Sequence, residues 1–473
     1  MRKTSFALAL LASAALAACG GSNSNAPRAG NQTPGIMFSS QVSFGDSLSD
    51  VGTYAVGAVK QLGGGKFTIN GDNTSVNKDL NGKNWTEFVA AQLALPAPCA
   101  AQTGLEGDAT KGFAVPITFN AGCLNYAQGG SRVTNPVGPN NKLVNPTLGL
   151  TTAPVVTQIA NHLTKVGGKF SGTELVTIMA GGNDILFLLG DLQTKATAAS
   201  WVASDPANAC AATAAGTSAG AQAFAGSLAT QLAAGATNPA TAGQLIGLAI
   251  QTEAARAGHT DASIVGAAVT AAVQAGNTSA ASAAVYGPMV AKAQADAQAA
   301  GAKAGADYAT ANAAGIVQAM GKAGAELAGL IKTQILAKGA NYVLVNNLPD
   351  VASTPAGKSK SADTQKLIQT AVDTFNAQLK AGVASEPKVL YVDLWSVSHD
   401  EVINPAPYGL TNTSTPACGP NALGTSSLAC NASNTIAGDV SHYMFADEVH
   451  PTPFENLLVA RYVLEQMAVK GWL

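Results

Sequence analysis

Leu175-Val176-Thr177-Ile178-Met179 is an unbroken β-prone run that ends in Ala180-Gly181-Gly182-Asn183-Asp184. A strand with one wet face alternates apolar and polar residues. A run without alternation reads as buried on both faces, the habit of parallel strands. The strand expected here is Glu174–Ala180, and four further short apolar runs read as strands: Gln41–Gly45, Cys123–Ala127, Asn341–Asn347 and Lys388–Leu394. Helical patterns lie between and after them, at Trp85–Leu95, Pro154–Val166, Ala313–Lys338, Ala362–Ala384 and Pro453–Lys470. Strands alternating with helices predict a three-layer α/β fold around a five-stranded parallel sheet.

One stretch departs from this rhythm. From about Ala203 to Ala311 alanine dominates, with Gly, Ser, Thr and Gln interspersed. Alanine favours helix and scattered glycine opposes it. The stretch sits between the third and fourth strands, where one helix would suffice, and reads as a helical insertion within a single domain at 41–473. A flexible low-complexity segment is the alternative. Its place on the chain leaving the third strand makes it a candidate lid.

Composition narrows the function. Charged residues are 11% of the 473 and the net charge is -2, so the basic face of a nucleic-acid binder is not expected. Arg2 and Lys3 precede an apolar run, Phe6–Ala18, that is too short to span a bilayer. It ends in Leu16-Ala17-Ala18-Cys19, then Gly20. This resembles a bacterial lipoprotein signal: residues 1–18 would be removed, Cys19 lipidated, and 19–40 would serve as a flexible tether. Glycine rather than aspartate after the cysteine resembles lipoproteins sorted to the outer membrane. An ordinary signal peptide with a cysteine near the cut is the competing reading. Export implies an oxidising compartment. The simplest pairing then joins Cys99 to Cys123 and Cys418 to Cys430, leaving Cys210 alone. No CxxC or HxxxH spacing occurs, so no metal site is expected, and no cofactor.

The polar residues gather at strand ends. The first strand runs into Gly45-Asp46-Ser47-Leu48-Ser49-Asp50-Val51-Gly52, the second into Gln128-Gly129-Gly130, and the third into Gly181-Gly182-Asn183-Asp184. In an open parallel sheet, ligands bind beyond the carboxyl ends of strands. Ser47 follows a strand and is expected to open a helix, whose N-terminus favours an anion. A lone serine is a poor nucleophile and needs a base. His450, in Asp447-Glu448-Val449-His450 before the final helix, can supply it. Asp447, three residues earlier, can accept the imidazole Nδ1–H and fix its tautomer. Asp46 and Asp184 read as structural, and His162 and His259 as surface helix residues. His442 is near the site in sequence. Trp85 reads as core at a helix start, with the pocket as its other possible place.

Together these blocks resemble the GDSL or SGNH hydrolase family, in its bacterial lipase/esterase-like lipoprotein branch. Gly45-Asp46-Ser47-Leu48 matches its first block, Gly130 the glycine of its second, Gly181-Gly182-Asn183-Asp184 its third and Asp447–His450 its fifth. Leu348-Pro349-Asp350 resembles the segment after its fourth strand. Ala446 departs, since relatives often carry a large residue there. The resemblance implies a flavodoxin-like SGNH fold and a serine ester hydrolase without cofactor. In it Ser47, His450 and Asp447 are catalytic, and the Ser47 and Gly130 N–H groups with the Asn183 amide form an oxyanion hole. Lipase, phospholipase, acyltransferase and esterase activities all occur in that family. A surface lipoprotein that binds without catalysis is the non-enzymatic alternative.

Overall fold

The computed structural model describes residues 35–200 and 219–473. Cys19 and Cys210 lie outside the described residues.

Four parallel strands form the sheet: β1 (Gln41–Gly45), β4 (Leu175–Met179), β5 (Tyr342–Asn346) and β6 (Val389–Val392), in the order β1-β4-β5-β6. Every residue of β1 and β4 is buried, which is why neither alternates. Their register pairs Gln41 with Leu175 and Gly45 with Met179, so both strands end at the same level. Helices Trp85–Gln92, Val155–Lys165, Ala362–Val383 and Pro453–Val469 fill the connections. The first is well started. Asn84 Oδ1 accepts from Thr86 N and Glu87 N, and Glu87 Oε2 accepts from Asn84 N, at 3.0, 3.3 and 2.8 Å. Such a capping box is worth about 1 kcal/mol.

The fifth expected strand is not formed. Residues 123–127 run along the free edge of β1, where Ser43 N donates to Leu124 O and Tyr126 N to Ser43 O. Only the isolated bridge Ser43–Asn125 results on that side. Gln158 explains the interruption. Its Oε1 takes the Gly45 N–H at 2.8 Å, which is then not given to Tyr126 O, although Gln128 N still donates to Gly45 O at 3.1 Å. A side chain thus competes with the ladder for a backbone donor. On its other side the segment bridges Ala100, beside the Cys99–Cys123 disulfide. Two strands were not anticipated: β2 (Gln102–Glu106) and β3 (Ala114–Phe119) pair antiparallel as a separate hairpin. Pro116 and the mostly exposed face of β3 hide it from an apolar-run search.

Residues Phe187–Ile316 form a second compact unit. Helices Ala219–Ala233, Pro239–Ala254 and Asp261–Gln274 pack through Leu228, Leu232, Ile246, Ile250 and Ile264, with alanines filling the gaps. Helix Ala283–Leu330 follows. Among the described residues no helix is long and apolar enough to cross a membrane.

His162 is a correction. It is 2% exposed, not on the surface. It lies on the buried stripe Val155, Gln158, Ile159 of its helix. Its ring packs against Phe44, Tyr126 and Phe170 at 5.8, 5.3 and 4.7 Å. Burial pushes its pKa down from 6.5 to about 4, with the Glu174 charge opposing. Between those values the unfolded chain binds a proton that the folded one refuses. The His162 contribution to stability is therefore full above pH 6.5 and falls on acidification, by about 1.4 kcal/mol per pH unit, until about pH 4. His162→Phe should remove this contribution and change the pH slope of stability by that amount in urea titrations across the window. An unchanged slope would show that another group carries it.

Candidate active site

The ends of β1 and β4 bring the polar blocks together. Beyond β1 the chain turns rather than entering a helix, which corrects the expectation for Ser47. Asp46 Oδ1 accepts from Leu48 N at 3.1 Å, and Asp50 Oδ1 from Gly52 N and Thr53 N at 2.8 Å each. These carboxylates take N–H groups without forming a helical ladder. The turn leaves Ser47 only 8% exposed.

Ser47 Oγ lies 2.9 Å from His450 Nε2. His450 Nδ1 lies 2.8 Å from Asp447 Oδ1 and 2.9 Å from Oδ2. The Asp447 carboxylate also accepts the backbone N–H of Val449, His450 and Ser427, at 3.0, 2.9 and 2.8 Å. Burial alone would raise its pKa. The charge and hydrogen bond of His450, with the donors from Ser427 and Val449, overcome this and hold the group below the usual carboxylate range. Asp46, next to the serine, goes the other way: burial pushes it up to about 7. Two buried carboxyls near one histidine are thus driven apart, and Asp447 is the one kept ionised.

The donor from Ser427 is supplied by a stapled loop. Cys418–Cys430 closes it, and Ala417 N and Cys418 N donate to Phe445 O and Ala446 O. Ala446 is fully buried among Ile69, Leu80, Cys418, Cys430 and Val440, so this loop occupies the space a larger residue would need. A second support went unread in the sequence. Phe67 packs on the His450 ring at 4.9 Å, and Thr68 Oγ1 donates to Pro451 O at 2.9 Å. Asn70 Nδ2 lies 2.9 Å from Ser427 O and 3.0 Å from Cys430 O. The signal for it was Phe67-Thr68-Ile69-Asn70-Gly71, an apolar-polar string closed by a turn pair.

Gly130 and Asn183 belong to loops joined by one hydrogen-bond network. Asp50 Oδ2 accepts from Gly129 N at 2.9 Å, fixing that loop to the turn after β1. Gly130 has φ +82°, and a Cβ there would stand 2.5 Å from Pro139 O, so only glycine fits. Asp184 takes Arg132 Nε and Val133 N at 3.0 Å each, joining the ends of the second and third blocks. Asn183 Nδ2 donates to Ser131 O at 3.0 Å, and its amide carries a second N–H.

The other histidines hold structure. His442 sits between Asp79 Oδ2 and Gly409 O, at 3.0 and 2.9 Å, and stacks on Phe454. His399 Nδ1 lies 2.7 Å from Asp350 Oδ2, in the segment after β5. His259 is in a surface turn outside any helix, with Nδ1 2.8 Å from Arg256 O. Trp85 is core, 2% exposed at its helix start, and also lines a cavity beside Leu48.

No family model matches the chain. Among curated proteins it is similar to GDSL esterase/lipase APG of Arabidopsis thaliana, at 28% identity over 144 residues, covering 28% of this chain and 41% of that protein. A second GDSL esterase/lipase of the same plant is 35% identical over 80 residues, covering 17% and 22%. A third is 29% identical over 123 residues, covering 26% and 31%. The chain spans less than half the length of these curated relatives. These three relatives are named as GDSL esterase/lipases, the same group that the Gly45–Leu48 and Gly181–Asp184 blocks resemble.

Proposed function

We propose that this chain is a serine hydrolase of carboxylic acyl esters. The observation that carries the reading is the continuous Ser47 Oγ–His450 Nε2–Asp447 chain, at 2.9 and 2.8 Å. His450 Nε2 takes the Ser47 proton as Oγ attacks the ester carbonyl. His450 Nδ1–H keeps donating to the Asp447 carboxylate, which stabilises the imidazolium. The tetrahedral oxyanion is received by Ser47 N–H, Gly130 N–H and the second N–H of Asn183. His450 then protonates the leaving alcohol. Water, activated by the same nitrogen, releases the acid and restores Ser47.

A fluorophosphonate probe tests the reading directly. It should attach to Ser47, identified by peptide mass spectrometry, and esterase activity should fall with occupancy. No attachment to Ser47 would end the assignment. Asn183→Ala tests the oxyanion hole. It should lower kcat by roughly 10²–10³ with a smaller effect on KM, because the amide acts on charge that develops at the transition state. A raised KM with kcat intact would make Asn183 a ground-state binder instead.

The proposal extends to location: export, and anchorage through a lipid on Cys19 in the cell envelope, on the outer-membrane side. Two disulfides among the described residues fit an oxidising compartment. Intact-mass measurement of the membrane fraction tests it, an unlipidated mature N-terminus being the contrary result.

A further inference from the structure

The chemistry above makes no use of a cavity that lies next to it. The cavity holds about 70 Å³ and is bounded by Leu48, Trp85, Val397, Val449, Glu401 and Glu455 among others. Leu48 follows the nucleophile and Val449 precedes the base, and both are half-buried. Trp85 and Val397 are buried. On the same measure one water needs about 10–15 Å³, so the space suits on the order of five waters, or a chain of roughly four to six carbons.

Two of its walls are out of character with the rest. Glu401 is 1% exposed and Glu455 4%. The Oε2 atom of each has no hydrogen-bond partner among the described residues. Each carboxyl is close enough to act on the other's charge. Burial holds Glu401 well above the carboxylate range and Glu455 up at about 7. An apolar core would be simpler to build without this pair. A methylene pressed against it gains no hydrogen bond and shuts the pair off from water, which is unfavourable.

We propose that the cavity receives the acyl chain of the ester, and that the Glu401–Glu455 pair in its wall restricts that chain to short acyl groups. The inference rests on Ser47 being the nucleophile, since it takes Leu48 and Val449 as the cavity's approach to the reacting carbon.

The test begins with the unaltered protein. Methane-, butane-, hexane- and hexadecanesulfonyl fluoride each present one alkyl chain to the serine. Butane and hexane should inactivate fastest, by roughly tenfold or more over hexadecane. Val397→Phe should lower the hexanoate-to-acetate ratio of kcat/KM for p-nitrophenyl esters about tenfold. The double variant Glu401→Leu with Glu455→Leu should raise the dodecanoate-to-butyrate ratio by a similar factor. Equal inactivation rates across chain lengths, with the sulfonyl group mapped to Ser47, would overturn the acyl-pocket assignment and leave the hydrolase reading standing. An unchanged ratio in Val397→Phe would do the same. An unchanged ratio in a folded double variant would overturn the part given to the carboxyl pair. If that variant does not fold, Glu455→Gln replaces it, with the same ratio and the same contrary result. No reaction at Ser47 with any of the reagents would overturn the hydrolase reading, and this inference with it.

Discussion

Ser47→Ala is expected to lower kcat for a soluble ester by about 10⁵ or more, with KM little changed. The substitution removes one atom, the Oγ that lies 2.9 Å from His450 Nε2. Nothing else depends on it. His450 keeps its contact with Asp447 and its packing on Phe67. The backbone of the turn is held by Asp46 and Asp50 rather than by the serine hydroxyl. The thermal midpoint should therefore stay close to that of the unaltered protein. A residual rate above the uncatalysed reaction is also expected, because the Gly130 and Asn183 donors remain. The measurement is kcat on protein freed of host esterases, together with loss of fluorophosphonate incorporation. Retention of more than about a tenth of the original kcat would move the nucleophile elsewhere.

How much of this was legible in the sequence can be argued from single residues. The unbroken run Leu175–Met179 reads as a strand covered on both faces, and it is one. Asp447 and His450 are three residues apart, and local geometry alone can join them. The pairing of Ser47 with His450, 403 residues away, is different. It is legible only if both lie at the carboxyl edge of one sheet, so the fold reading had to come first. Gln158 shows where pattern fails. Cys123–Ala127 is apolar enough for a strand, but the Gln158 side chain, from a helix, takes the Gly45 N–H of the neighbouring strand and leaves a single bridge. His162 shows a failure of weighting. The spacing 155, 158, 159, 162 is a helical stripe, yet a histidine on it was read by its polarity rather than by its position. Phe67 and Asn70 stand in a legible strand-and-turn string, but what they touch is not legible there. Their partners are His450 and the Ser427–Cys430 loop, and no local period marks a contact across some 360 residues.

Asp447→Asn is the second large effect expected, a loss of about 10⁴ in kcat. The native carboxylate accepts from four groups: the backbone N–H of Ser427, Val449 and His450, and His450 Nδ1. An asparagine offers one acceptor oxygen and one NH₂ donor in the same space. If its oxygen stays with Val449, His450 and Nδ1, its NH₂ faces the Ser427 N–H, donor against donor. If the amide is reversed, NH₂ donates to Nδ1, the imidazole proton moves to Nε2, and Nε2 can no longer accept from Ser47 Oγ. The first arrangement leaves one buried donor, the Ser427 N–H, unsatisfied, at a cost of about 1–3 kcal/mol. The second keeps the Ser427 hydrogen bond, but its NH₂ then faces the Val449 and His450 N–H groups, and two buried donors lose their acceptor. By donor count the first should prevail. Stability should then fall by about 1–3 kcal/mol, and kcat should collapse while KM holds, because the charge that stabilises the imidazolium is gone. The imidazole ¹⁵N shifts of His450 should report that protonation stays on Nδ1. Protonation on Nε2 would select the second arrangement, with the base lost through its tautomer. A kcat within tenfold of the original would show that Asp447 does not support the base.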